Sequence, residues 1–303
     1  MGEEPVSYFF LKGLSAFISL FPLKFLYSAA GFFTKTIFFL WKTKRENVRS
    51  NYELILTKKF GRAPTETEIK KVMADNFENY GKFNAEFLYI GKLVRANMLP
   101  PISNPANVDK ALSYGRGLIM GTLHFTNWDI AGISIAGHYR NKNEVWAIAD
   151  DLGGGYSKFV QESRKTYGIN IVLPNKNLKD AYKCLQRNSI LNVLVDRPVN
   201  PESESATEVE FFGKKCFVAT AAARLAIKTG AKITIGYMER VGSNFLGHTA
   251  PFLEYTLTGN GEKDIHTITQ TLFVEAEKII IEHPEQWYMF RNFWGSQKLR
   301  NNI

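Results

Sequence analysis

From Gly117 onward, short apolar runs alternate with stretches of helical periodicity. The runs fall at 117–123, 144–149, 169–173 and 190–195, and helical spacing falls between them, near 127–138, 155–167 and 177–187. Apolar runs this short, with no polar alternation, are those of strands buried on both faces. Strands separated by helices predict an α/β fold with a largely parallel central sheet flanked by helices. Further along, the pattern predicts a strand at Val209 to Phe212, a helix from Ala219 to Thr229, strands near 232–240 and 248–257, and a long helix over 263–282.

Upstream the period is helical throughout. Val48, Tyr52 and Ile55 share one face, Gly61-Arg62-Ala63-Pro64 breaks the pattern, and Thr65 with Glu68 three residues later reads as a capping box. Ile69, Val72, Met73, Phe77 and Tyr80 then recur at helical spacing, and Leu99-Pro100-Pro101 through Pro105 reads as a linker.

Residues 8–41 are apolar and rich in Phe, yet Lys12, Lys24 and Lys35 interrupt them and Pro22 divides them. No stretch reaches the roughly 18–20 uninterrupted apolar residues of a clear spanning helix. Two short helices at a membrane surface, with lysines snorkelling to headgroups, are the leading expectation. A hairpin packed on the main domain and a true span are the alternatives, and no signal-peptide pattern is formed. The chain thus divides into a membrane-associated segment, 1–45, and an α/β domain, 46–303, whose first part (46–105) is helical.

Composition adds class and compartment. Hydrophobic residues make up 45% and charged residues 22% of 303, enough apolar material for a core. Two distant cysteines, Cys184 and Cys216, argue against a disulfide framework or a zinc site and fit a reducing compartment. The net charge is +9, and residues 1–60 carry nine Lys/Arg against four Asp/Glu. Trp41-Lys42-Thr43-Lys44-Arg45 joins an interfacial aromatic to a basic cluster, as anionic lipid would favour. No nucleic-acid-binding motif accompanies the charge.

The candidate chemistry sits where the first strand of the sheet gives way to a helix. His124 and Asp129 stand there with four residues between them, an imidazole able to take a proton near neutral pH and a carboxylate able to fix its tautomer. Spacing alone leaves a second reading open, in which Thr126 and Asp129 form a capping box and His124 is an ordinary turn residue. Gly153-Gly154-Gly155 lacks the Lys-Ser/Thr of a phosphate loop and reads as a flexible turn. No Gly-x-Ser-x-Gly elbow occurs. Asp150 and Asp151 read as a solvated turn rather than metal ligands. His138, His248 and His266 stand alone, and the C-terminal aromatics, Trp287 among them, read as packing.

Around the pair, His124-Phe125-Thr126-Asn127-Trp128-Asp129 resembles the H-x-x-N-W-[DE] site of the lysophospholipid acyltransferase superfamily. The branch it resembles is that of the lipid A biosynthesis late acyltransferases and phosphatidylinositol mannoside acyltransferases. Arg164 to Gly168 looks like that branch's R-x-x-x-G element, and Val195-Asp196-Arg197 like its acidic residue after a buried strand. Glu210 to Gly213, Ala226 to Ala231, His283 to Trp287 and Arg45 to Asn51 match further blocks in order. Pro198 stands where many relatives carry a second acidic residue, and Lys214-Lys215 follows Phe-Phe-Gly.

The resemblance implies a glycerolipid acyltransferase-like fold and an O-acyltransferase at the cytoplasmic face of the cell inner membrane, peripheral or monotopic. His124 would be the general base, Asp129 its orienting partner and Asp196 a second carboxylate, while Arg164, Asn127 and Arg197 would contact substrate. The donor would be an acyl carrier protein or coenzyme A thioester, the acceptor a membrane glycolipid hydroxyl, and no metal or redox cofactor is expected.

Overall fold

The computed structural model of the protein describes residues 6–150 and 153–295. Two helices open the chain, α1 (Val6–Ile18) and α2 (Leu23–Leu40), broken at Pro22 as expected. Helix α3 (Lys42–Phe60) ends on Gly61 in the left-handed conformation, and α4 (Glu66–Arg95) starts with both hydrogen bonds of the Thr65/Glu68 capping box. The Pro-rich stretch is more than a linker: Ile102–Ser103 forms a short strand, β1, and Pro105 occupies the first turn of α5 (Pro105–Leu112), where its missing N–H costs nothing.

The alternating part follows as β2 (Leu118–Thr122), α6 (Trp128–Tyr139), β3 (Val145–Ile148), α7 (Gly154–Thr166), β4 (Ile169–Val172), α8 (Pro174–Gln186) and β5 (Ile190–Leu194). Then come β6 (Ala206–Phe211), β7 (Lys214–Ala219), α9 (Ala221–Thr229), β8 (Lys232–Val241), β9 (Asn244–Thr249) and α10 (Gly261–Glu282). Seven strands form the main sheet in the order β1-β9-β8-β2-β5-β3-β4. Every neighbouring pair is parallel except β8 with β9.

Two differences from the sequence reading have local causes. The strand expected at 248–257 is displaced upstream, because Gly242 takes a φ of 63° and turns β8 directly into β9. Pro251, without an N–H, lies just past the end of that ladder. The strand at Val209–Phe212 is one arm of a separate hairpin, β6–β7, whose turn places both Phe212 (φ 53°) and Gly213 (φ 72°) at positive φ. That is the geometry of a type I′ turn, which matches strand twist.

All five residues of β2 are buried, and they serve two cores. Leu118 and Met120 pack with α5, α6 and the second half of α4, while Ile119 packs with α3, α8, α9 and α10 on the other face. Helix α4 reaches both cores; its 30 residues span about 45 Å at 1.5 Å each.

The N-terminal helices are neither free nor wholly packed. Tyr8, Leu26 and Tyr27 are buried, while Phe10 (67% exposed), Leu20 (76%) and Phe32 (71%) face outward. Lys12 does not extend away from the protein as a snorkelling lysine would; it pairs with Glu162 of α7 at 3.6 Å. No single helix among the described residues is long and apolar enough to cross a membrane.

The close approach of α2 to α4 depends on Gly81, where a Cβ would stand 2.6 Å from Thr34 Cγ2. Gly81→Val should push α2 off α4 and lower stability by about 1–3 kcal/mol. Urea unfolding measures the loss, and faster proteolysis within residues 20–41 reports the undocking; wild-type values in both would contradict this packing.

Candidate active site

Parallel strands β2 and β5 pair in register, Thr122 opposite Leu194. Two residues beyond each lie His124 and Asp196, so the ladder brings them side by side at the carboxyl edge of the sheet, where α/β folds place their sites. His124 Nδ1 is 2.7 Å from Asp196 Oδ1, and the His124 amide donates to Asp196 Oδ2 at 2.7 Å. The Trp287 indole donates to the same Oδ2 at 2.7 Å. Asp196 is completely buried. Burial opposes its ionisation, but the adjacent imidazole and these three donors outweigh burial and hold its carboxyl below the ordinary range.

The carboxylate against the imidazole is therefore Asp196, and the expected His124–Asp129 partnership is not the one formed. Asp129, in the first turn of α6, accepts from Arg164 Nε of α7 at 2.6 Å. Burial works against the Arg164 charge, and the Asp129 carboxylate more than offsets it, raising the guanidinium pKa. Arg197 lies on the opposite side of His124, with Nε and Nη2 each 3.3 Å from Nε2 and Nη1 2.9 Å from Asp150. Asp150 is thus an ion-pair partner, and Asp151 lies outside the described residues. A proton on Nδ1 satisfies Asp196 and leaves the Nε2 lone pair facing Arg197. That is the tautomer a general base requires.

The capping reading is also corrected. Asn127, not Thr126, caps α6: its Oδ1 accepts from the Ile130 amide at 3.0 Å. Its Nδ2 donates to Glu86 at 3.0 Å, and the residue has no exposed surface. Both ends of the amide are engaged within the protein, so Asn127 shapes the loop. Thr126 takes a φ of 48°, rare for a β-branched residue. It is held there by its amide to Gln286 O (2.8 Å) and its hydroxyl to Gln286 Oε1 (2.5 Å).

The segment around Gln286 is the part of the site that the sequence reading missed. Tyr288 N donates to His124 O at 2.7 Å, so residues 286–288 run along the His124 loop, and Trp287 is a partner of Asp196 rather than packing alone. Glu86 pairs with Arg240 in the interior. A carboxylate at position 86, between Phe83, Phe87 and Ile90 on an apolar helix face, was a legible sign of a buried charge.

A cavity of about 380 Å³ opens beside His124. Trp128, Tyr156 and Tyr288 stand among its aromatic lining, Asp129 and Arg164 among its polar lining, and Gly132, Ala147, Val160 and Ile169 among its small or apolar lining. Among the described residues no group of three or more His, Cys, Asp or Glu side chains is arranged to hold a metal ion.

The family of bacterial lipid A biosynthesis acyltransferases matches residues 4–296 of the chain. A phosphatidylinositol mannoside acyltransferase of Mycobacterium tuberculosis is 22% identical over 233 residues, covering 74% of this chain and 70% of its own. One of Mycolicibacterium smegmatis is 26% identical over 190 residues, 61% of this chain and 59% of its own.

The lowered Asp196 pKa carries a stability prediction. Its contribution is complete above the unfolded-state value, near 3.9, and is lost as pH falls through the lower native value. Urea unfolding followed from about pH 6 down to about pH 2 should show this loss in the wild type, and Asp196→Asn should flatten that part of the acid limb. Parallel acid limbs would show that Asp196 is not held ionised.

Proposed function

The chain belongs to the bacterial lipid A biosynthesis acyltransferase family and is an acyltransferase; from that premise we propose that it moves a fatty acyl group from a thioester to a hydroxyl of a membrane glycolipid, with His124 as general base. The observation that carries this reading is the His124–Asp196 pair, with Nδ1 engaged and the imidazole among the residues lining a cavity of about 380 Å³. The acceptor oxygen attacks the thioester carbonyl while Nε2 takes its proton. The tetrahedral intermediate collapses, the carbon–sulfur bond breaks, and the imidazolium returns the proton to the departing thiolate.

Asp196 fixes the tautomer and stabilises the imidazolium. Arg164, its Nε bonded to Asp129 at the cavity wall, takes a phosphate or carboxylate of substrate through its Nη groups. Arg197 occupies the approach to Nε2 and moves to an anionic group when the acceptor enters. The small and apolar part of the cavity takes the acyl chain. The donor is an acyl carrier protein or coenzyme A thioester, and the acceptor is a lipid A precursor or related glycolipid. A phosphatidylinositol mannoside acceptor is the second reading, favoured by the names of the two relatives.

We place the protein on the cytoplasmic face of the cell inner membrane, held there without spanning it. The outward phenylalanines of α1 and α2 and the Trp41-Lys42-Thr43-Lys44 cluster behind them support this placement.

His124→Ala should abolish transfer in a folded protein, and Asp196→Asn should slow it about 10²–10⁴-fold, as expected for a base left in the wrong tautomer. Mass spectrometry of acylated lipid with purified protein, tried on both glycolipid acceptors, reads both effects; a folded His124→Ala enzyme at full rate overturns the mechanism. Replacing Phe9, Phe10, Phe32 and Phe33 together with Ser should release the protein from anionic vesicles in a flotation assay. Unchanged flotation would remove these helices from the membrane contact.

A further inference from the structure

Strand registers give the depth of the cavity. Thr122 and Leu194 form the layer next to the catalytic edge, Asn192 and Ala147 the layer two residues lower, and Ile190, Val145 and Ile169 the layer two below that. Four residues separate the first layer from the last, about 13 Å at 3.3 Å per residue. Ile169 lines the cavity, so the cavity extends down to that third layer.

Helix α6 descends from the carboxyl edge, and Gly132 lies one turn past Asp129 on the same face. At this depth Gly132 and Ile169 make the wall small or apolar, below the polar Asn192 of the second layer.

Gly132 is an unusual choice there. Its backbone is ordinary helix, with no positive φ that would call for glycine. A glycine inside a helix is less stable than alanine by about 1 kcal/mol. A Cβ at this position would meet Ile169 Cδ1 at 3.0 Å and, apart from its own helix, nothing else within 4 Å, and Gly132 itself lines the cavity.

We infer that Gly132 and Ile169 together form the stop of the acyl-binding limb and set the longest chain the enzyme accepts, an inference that rests on the acyl-transfer reading above. A side chain at 132 would project into the limb at the depth of the third layer. A smaller residue at 169 would open the floor.

The test is a series of saturated acyl thioester donors of increasing length with one glycolipid acceptor, comparing kcat/KM across the series. Gly132→Leu should shift the ratio of short-chain to long-chain transfer towards short chains by about fourfold for each methylene excluded, the transfer value of a buried CH₂. Ile169→Ala should shift the ratio the other way, and it decides the question alone if Gly132→Leu does not fold. Binding of free fatty acids of the same lengths, followed by tryptophan fluorescence, should shift in parallel. A binding shift without any transfer by the wild-type protein would sink the acyl-transfer reading and keep the stop. Equal loss at every chain length, or an unchanged profile in both variants, overturns the inference.

Discussion

A carboxylate with no exposed surface must be matched by donors or it will not stay ionised, and Asp196 is matched by three. Two come from His124 and one from Trp287, so a single buried charge ties the end of β2, the end of β5 and the segment after α10. The in-register parallel pairing of β2 with β5 is the precondition: a slip of one residue would send Asp196 to the other face of the sheet. The antiparallel contact of Phe125 with Trp287 then serves the same end, since it holds the indole where Oδ2 needs it.

What could be read from the chain follows from where the information resides. The strands beside the site were legible because burial on both faces favours nearly continuous apolar runs, and Ile190 to Val195 is one, interrupted only by Asn192. Half of the β6–β7 hairpin was not, because β7 begins with exposed Lys214 and Lys215 and offers no such run. His124 was legible as a residue, but its direct partner was not legible from spacing; only the resemblance offered Asp196, and as a second carboxylate behind Asp129. Asp129 is near in sequence, while Asp196 becomes adjacent only once β5 is known to be the neighbour of β2, and strand order is not written in any local pattern. The cap of α6 was misread for a different reason. Asn and Thr compete for neighbouring positions, and the stronger cap, Asn127, takes the role while Thr126 bonds to Gln286.

Gln286 closes the polar framework on the other side of the loop. Its Oε1 accepts from both Thr126 Oγ1 and the Arg240 amide, and its Nε2 donates to the Arg240 carbonyl. Arg240 pairs with Glu86, and Glu86 accepts from Asn127. Residues 124–127 are therefore held by Asp196 at one end and by the Glu86–Arg240 pair at the other. The left-handed Thr126 persists because both its amide and its hydroxyl are bonded, so local strain is offset by a fixed direction for the imidazole. A loop free to relax would lose the aim of Nε2 before it lost the fold.

The same network bears on the membrane contact proposed for the N-terminal helices. Arg240 Nη1 also reaches the Tyr27 hydroxyl of α2, at 3.3 Å. Tyr8 of α1 donates to Glu162 of α7, the helix that carries Arg164 on another face. The inner faces of α1 and α2 are thus bound to polar groups of the catalytic body, while the outer faces carry phenylalanine. A spanning arrangement would have to strip Tyr27 from Arg240 and Lys12 from Glu162 and leave each group unpaired in an apolar setting. The interfacial placement proposed above keeps those bonds and still buries the exposed rings. In that placement α4 and α7, whose residues line the cavity, would stay packed on the lipid-facing helices, and the proposed site would lie near the surface from which a glycolipid hydroxyl arrives.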